Sequence, residues 1–78
     1  MQKYIKVYLD YFDYKAEYVP CEICKAPSVD IHHIKGRGKN MDVITNLMAL
    51  CRDCHNKAHS SVSKMEIQSI HDKFLNGG

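Results

Sequence analysis

The chain has 78 residues, a net charge of +2 and four cysteines. A chain of this length forms one domain, and below about 80 residues an apolar core rarely contributes more than about 3–5 kcal/mol of net stability. No apolar stretch approaches the roughly 18 residues needed to cross a membrane, and the N-terminus lacks the apolar segment of a signal peptide. The sequence therefore predicts a small cytoplasmic domain that is stabilised by something besides its core.

The first predicted element is a helix over about residues 3–16. One apolar face recurs at helical spacing along it and is formed by Ile5, Tyr8, Leu9, Phe12 and Ala16. Aromatic stripes at this spacing usually pack inward. We therefore interpret this face as core rather than as a surface that stacks on bases.

Two short strands and a helix are predicted for the middle of the chain. Residues 29–34 alternate around β-branched positions, and residues 46–50 form a short apolar run, so both segments are typical of strands. From about Asp53 the pattern becomes helical. That helix carries His55 and His59 one turn apart on the same face.

A last helix is predicted over about residues 63–75. It begins at a Ser-x-x-Glu capping box formed by Ser63 and Glu66. Its inner face is formed by Ile67, Ile70, His71, Phe74 and Leu75. We interpret His71 as an ordinary helix residue. The order helix, strand, strand, helix, helix predicts a small α+β domain.

All four cysteines lie in two Cys-x-x-Cys pairs, Cys21 with Cys24 and Cys51 with Cys54. Each such turn can place two sulfurs on one ion, and two turns close a tetrahedral zinc site. Two disulfides are an alternative, but the absence of an export signal favours thiolates in a reducing compartment. A finger-like site of the second pair with the two helical histidines is another alternative, and it leaves the first pair without a role. We predict a structural four-cysteine zinc site.

A second cluster of possible ligands is formed by histidines. His55 and His59 are spaced to share an ion with a third ligand from the first strand. His32 and His33 are neighbours on that strand, so their side chains point to opposite faces. One of them can bind metal while the other keeps a free nitrogen, and this combination is typical of metal-assisted hydrolysis.

The net charge alone says little about nucleic acid, but the distribution of basic residues says more. Lys35, Arg37 and Lys39 lie in one glycine-containing loop directly after the double histidine. Such a loop can follow a phosphate backbone. Its position beside the histidines favours that interpretation over a solvated turn.

Residues 19–60 resemble the zinc-containing branch of the HNH endonucleases of bacteria and bacteriophages. The resemblance is carried by Asp-Ile-His-His-Ile at 30–34, Asn-Leu at 46–47, Leu-Cys-Arg-Asp-Cys-His at 50–55, and His59. It implies a ββα-metal, treble-clef-like fold, in which two strands and a helix hold one divalent ion. Here N- and C-terminal helices would flank it in a single nuclease domain over residues 1–78.

The resemblance implies a role for five positions. His33 would be the general base, and Asn46 would hold it in place through hydrogen bonds within the loop. His32, His55 and His59 would bind the catalytic ion; the first of these positions is Asp in many relatives and His in the nuclease colicins. Imidazole ligands suit Mn²⁺, Ni²⁺, Co²⁺ or Zn²⁺ better than Mg²⁺, which prefers oxygen.

DNA is the implied partner. Lys35, Arg37 and Lys39 would contact backbone phosphates without reading sequence. One active site cuts one strand per encounter, so we expect nicking with low sequence specificity, directed by another protein such as a phage packaging component. Two other functions stay open: a non-catalytic zinc module that binds nucleic acid or protein, and a structural zinc-stabilised adaptor.

Overall fold

The structure is a computed structural model that describes residues 2–60 and 62–77. Its elements in chain order are helix α1 (Lys3–Phe12), strand β1 (Asp30–His33), a 3-10 turn (Ile44–Asn46), strand β2 (Leu47–Leu50), helix α2 (Arg52–Ser60) and helix α3 (Lys64–Leu75). The two strands form an antiparallel sheet. The predicted α+β class is confirmed. The predicted domain over 1–78 also includes Met1, Ser61 and Gly78, which lie outside the described residues.

One face of the sheet packs against α2 and α3. His32 lies opposite Met48 in the register, and Asp30 lies opposite Leu50. Side chains at alternate strand positions point to the same side of the sheet. The buried cluster on this side is formed by Cys21, Ile34, Met48, Leu50, Cys54 and Ile67. His32 therefore points toward α2, which carries the two other histidines of the predicted ion site.

The opposite face packs against α1. His33 lies opposite Leu47, and Ile31 lies opposite Ala49. The buried cluster on this side is Tyr8, Leu47 and Ala49, and the partly buried side chains packed on it are Tyr4, Val7, Phe12, Tyr14, Val19, Ile31 and Ile44. The aromatic face of α1 is therefore core. All four residues of β2 are buried because both faces are covered, which explains its uninterrupted apolar run.

Helix α1 ends at Phe12, so the prediction that it extends to residue 16 is wrong. Asp13 adopts a left-handed conformation with a φ of 57°, and the Tyr14 N–H donates to the Leu9 carbonyl at 2.9 Å. The chain then reverses, and the rings of Phe12 and Tyr14 stack with their centroids 5.3 Å apart. Ala16 is exposed as a result. Helical periodicity cannot show such an end, because a left-handed cap is usually glycine.

Helix α3 begins directly after Ser63, as predicted. The Ser63 hydroxyl accepts a hydrogen bond from the Glu66 N–H at 3.2 Å, which satisfies one of the free donors of the first turn. Ile67 and His71 are buried on the inner face of the helix. Among the described residues, no helix is long and apolar enough to span a bilayer.

Candidate metal centre and active site

Four cysteine side chains meet beside the sheet. The sulfurs of Cys21, Cys24, Cys51 and Cys54 all lie within 4.8 Å of one another, and those of Cys24 and Cys51 are 3.5 Å apart. None of the four forms a disulfide. A tetrahedral site with Zn–S bonds of about 2.3 Å requires sulfurs about 3.8 Å apart. The cluster therefore has the size of a zinc site.

The electrostatics of this cluster also fit a cation. Burial and the neighbouring sulfurs raise the pKa of the Cys54 thiol. Burial acts in the same direction on Cys21, but nearby backbone N–H groups outweigh it and lower the pKa of that thiol to about 7. Thiolates crowded into this volume repel one another unless a cation lies among them. A closed tetrahedron has no open position for substrate, so such a site is structural.

Three histidines form a second cluster on the α2 side of β1. Ligand nitrogens of His32, His55 and His59 lie within 4.8 Å of one another, and the Nε2 atoms of His55 and His59 are 3.0 Å apart. Burial, together with the two neighbouring imidazoles, lowers the pKa of His32 to about 4. Neutral imidazoles with converging nitrogens suit a transition metal ion. The structure thus brings together the three histidines that the sequence predicts for one ion.

A carboxylate orients one of these rings. Nδ1 of His55 lies 3.1 Å from Oδ2 of Asp30. Because a carboxylate accepts, the proton lies on Nδ1, and Nε2 keeps its lone pair facing the cluster. Asp30 is not among the predicted site residues. Strand alternation was the available signal, since Asp30 and His32 are two positions apart and share a face.

His33 lies beside this cluster but points to the α1 face. Its side chain is 4% exposed, and its Nε2 lies 2.8 Å from Oδ1 of Asp42. The carboxylate accepts, so Nε2 carries the proton and Nδ1 keeps its lone pair. Nδ1 is buried and has no hydrogen-bond partner within the described part of the chain. The sequence does not reveal Asp42, because a loop residue follows no periodic pattern.

Asn46 ties the loop after β1 to the start of β2. Its Oδ1 accepts from the Lys35 N–H at 2.8 Å, and its Nδ2 donates to the carbonyls of Gly36 at 3.2 Å and Met41 at 2.9 Å. The residue is 4% exposed, so these bonds are made away from water. They hold both ends of the loop segment that carries Asp42 back to the strand.

The three basic residues of this loop have different surroundings. The Arg37 guanidinium lies over the Tyr4 ring, with its carbon 5.3 Å from the ring centroid. Lys35 instead lines a groove beside α3. Lys39 is exposed. Arg37 and Lys35 therefore line two different cavities.

One open cavity of about 290 Å³ joins the two histidine arrangements. Its walls are formed by Tyr4, Asp30, Ile31, His32, His33, Gly36, Arg37, His55 and His59. An ion bound by the three histidines and a substrate atom near His33 would therefore lie in the same cavity.

A buried ion pair links α3 to the segment between α1 and β1 and to the 3-10 turn. His71 is fully buried, with Nδ1 2.6 Å from Oε1 of Glu22 and Nε2 2.6 Å from the Ile44 carbonyl. The Tyr8 hydroxyl donates to the other Glu22 oxygen at 2.5 Å. Burial lowers the pKa of His71, but its bonds to Glu22 and Ile44 outweigh burial and raise it. Both ring nitrogens face acceptors, so His71 is a hydrogen-bonded core histidine of α3 that lies outside both metal clusters.

Comparison with known proteins identifies the central segment. A family model described as HNH endonuclease matches residues 21–61, just over half of the chain. That segment contains both cysteine pairs and the histidines that line the cavity. Helices α1 and α3 lie outside it. No curated protein and no solved structure matches the chain.

Proposed function

This chain belongs to the HNH endonuclease family, and we propose that it nicks DNA with low sequence specificity, using His33 as the general base. Nuclease activity in general follows from the family. The finer proposal depends on one observation: Nδ1 of His33 has no hydrogen-bond partner among the described residues, and His33 lines the same cavity as three converging imidazoles. A base and an ion site that share one cavity can act on the two sides of a phosphodiester.

In this proposal His33 takes the proton of the attacking water. Asp42 holds the other ring proton on Nε2, so Nδ1 is the accepting atom. As water attacks phosphorus, Nδ1 gains its proton and the ring becomes cationic. The Asp42 carboxylate then stabilises the imidazolium. General-base catalysis of this kind contributes about 100- to 10,000-fold.

His32, His55 and His59 would hold one divalent ion. When bound, such an ion supplies a Lewis acid that stabilises charge on the phosphate oxygens and on the 3′ leaving oxygen. Asp30 contributes by fixing the tautomer of His55. The three imidazoles favour Mn²⁺, Co²⁺, Ni²⁺ or Zn²⁺ over Mg²⁺.

The basic loop would hold the DNA backbone. Arg37 lies in the wall of the cavity, where it can meet the scissile phosphate, and Lys35 and Lys39 can meet its neighbours. Contacts of this kind carry no sequence information. Target choice would then depend on a directing partner, such as a phage packaging protein.

A metal screen on supercoiled plasmid tests the proposal. Protein with its structural zinc retained is given Mg²⁺, Mn²⁺, Co²⁺, Ni²⁺ or Zn²⁺ in turn, alongside His59→Ala. We expect nicked circles to appear before linear DNA, with at least one transition ion as effective as Mg²⁺ and with nicks that a DNA ligase can seal. His59→Ala should be inactive while it keeps its structural zinc.

Other outcomes would favour the other functions. Activity with Mg²⁺ alone would contradict the three-histidine ion site. Salt-dependent DNA binding without cleavage by any ion would indicate a nucleic-acid-binding zinc module. No DNA binding at all would indicate an adaptor.

A further inference from the structure

Helix α1 lies outside the family-matched segment, yet it carries a tyrosine into the candidate active site. The ring of Tyr4 meets that of His33 edge-on, with centroids 4.6 Å apart and planes at 62°. This contact exists because the register points His33 toward the face that α1 covers. Arg37 lies on the Tyr4 ring. Arg37, Tyr4 and His33 thus contact one another in sequence and line one cavity.

The proton-accepting atom of His33, Nδ1, is not accessible to solvent in this arrangement. Nδ1 is buried and has no hydrogen-bond partner among the described residues. Buried acceptors in folded proteins almost always have a partner, and the exceptions tend to be completed by water or a ligand. A general base must lie within hydrogen-bonding distance of the water that it activates. A neighbouring side chain must therefore move before a water molecule can hydrogen-bond to Nδ1 of His33.

We propose that Tyr4 and Arg37 form a gate over His33, which a DNA phosphate opens by drawing Arg37 away from the Tyr4 ring. The inference rests on the proposed nuclease function. Arg37 is exposed, and an exposed cation is held only weakly by an aromatic ring, whereas a guanidinium and a phosphate form a stronger, bidentate pair. A phosphate that enters the cavity therefore draws the Arg37 guanidinium away from the Tyr4 ring.

The gate would make His33 accessible to water only when substrate is bound. With Arg37 on the phosphate, Tyr4 can move far enough for water to reach Nδ1, while its ring still limits the rotation of the imidazole. Tyr4 is a positioning residue, and it acts through His33. Because its contact is made by the ring, Tyr4→Phe should preserve the gate and Tyr4→Ala should remove it.

The rate at which diethyl pyrocarbonate carbethoxylates His33 measures how accessible the imidazole is, and the measurement does not depend on nuclease activity. The full chain is used with its structural zinc and no other added ion, and His33 is separated from His32 by tandem mass spectrometry. A minor open state is typically populated at about 0.1–10%, so removing the gate should speed modification at least about tenfold. We expect this for Tyr4→Ala and Arg37→Met, and wild-type rates for Tyr4→Phe.

Two controls sharpen this measurement. Tyr11→Ala removes an exposed tyrosine from the same helix and should leave the His33 rate unchanged. Inorganic phosphate should speed modification of His33 in wild type and have no effect in Arg37→Met. Equal rates in wild type, Tyr4→Ala and Arg37→Met would overturn the gate, as would a lack of any phosphate effect in wild type.

Single-turnover nicking separates this inference from the proposed function. At saturating DNA, Tyr4→Ala should lower the rate constant about tenfold through misplacement of the base, with unchanged DNA affinity. Tyr4→Phe should restore the rate, and Arg37→Met should weaken DNA binding. If the wild type does not nick DNA with any ion, the proposed function is wrong. The modification rates would still show whether Tyr4 and Arg37 limit access to His33. Wild-type rates in Tyr4→Ala would defeat the gate alone.

Discussion

Nε2 of His33 lies 2.8 Å from the carboxylate of Asp42. This contact assigns the ring proton to Nε2 and leaves Nδ1 as the only atom of the ring that can accept a proton. It also places a negative charge where the imidazolium would form. Asp42 is thus the residue on which the proposed role of His33 most depends.

Asp42→Ala should lower the single-turnover nicking rate about 10- to 100-fold, which is part of the contribution of a general base. Asp42→Asn should fall between wild type and Asp42→Ala, because the amide can still accept from Nε2 but carries no charge. Asp10→Ala serves as the control, since Asp10 is exposed and pairs with the exposed Lys6 on α1. Full activity in Asp42→Ala would show that the tautomer of His33 is set by other means.

Cys24→Ser and His59→Ala should separate the two predicted metal sites. Binding of a structural zinc supplies about 10–16 kcal/mol, more than the core of so small a domain. Cys24→Ser should therefore lose bound zinc and its cooperative thermal transition. His59→Ala should keep both, as seen by zinc analysis and circular dichroism. Loss of the cooperative thermal transition together with all bound zinc in His59→Ala would instead support the finger-like site that mixes cysteines with histidines.

Asn46→Asp should loosen the loop after β1 without emptying the space that the side chain fills. The carboxylate can still accept from the Lys35 N–H but cannot donate to the carbonyls of Gly36 and Met41. Each lost bond between buried groups costs about 1–3 kcal/mol. We expect slower single-turnover nicking by Asn46→Asp than by a surface variant. Hydrogen exchange at the Lys35 amide should stay slow in Asn46→Asp and become faster in Asn46→Ala, which removes the acceptor. An unchanged exchange rate in Asn46→Ala would contradict the clamp.

The buried pair of Glu22 and His71 should make stability depend on pH. Burial lowers the pKa of His71, but bonds to Glu22 and Ile44 and the charge of Asp72 raise it overall. The stabilisation is fully present below the unfolded value of about 6.5 and is lost as pH rises through the raised folded value. Urea unfolding from pH 6.5 to 9 at saturating zinc should show this fall.

A double variant provides the reference for that measurement. Glu22→Gln with His71→Leu removes both charges and leaves an acceptor for the Tyr8 hydroxyl. The zinc thiolates contribute equally to both proteins and cancel in the difference. The same pH slope in wild type and double variant would show that His71 is not charged in the folded protein.

Local sequence patterns predicted much of this fold. The strands, the histidine spacing on α2 and the Ser63 cap are each encoded within a few residues, and the structure contains them. The end of α1 is different, because left-handed Asp13 and the stacking of Phe12 on Tyr14 follow from packing rather than periodicity.

Parts of the candidate site depend on partners that lie far apart in sequence. His71 has a helical position that predicts burial, but its partner Glu22 lies 49 residues away. Asp42 lies in an irregular loop, and Tyr4 reaches His33 only because α1 covers that face of the sheet. No motif contains these pairs, so tertiary structure was needed to find them.

Nicking of supercoiled plasmid by wild type and His33→Ala shows whether His33 acts as the general base. Both proteins are compared with the most active divalent ion, after zinc content and circular dichroism have shown that the variant is folded. We expect the wild type to nick the plasmid and His33→Ala to be slower by about 100-fold or more. Equal nicking by the two proteins, or none by wild type with any ion, would contradict this role of His33.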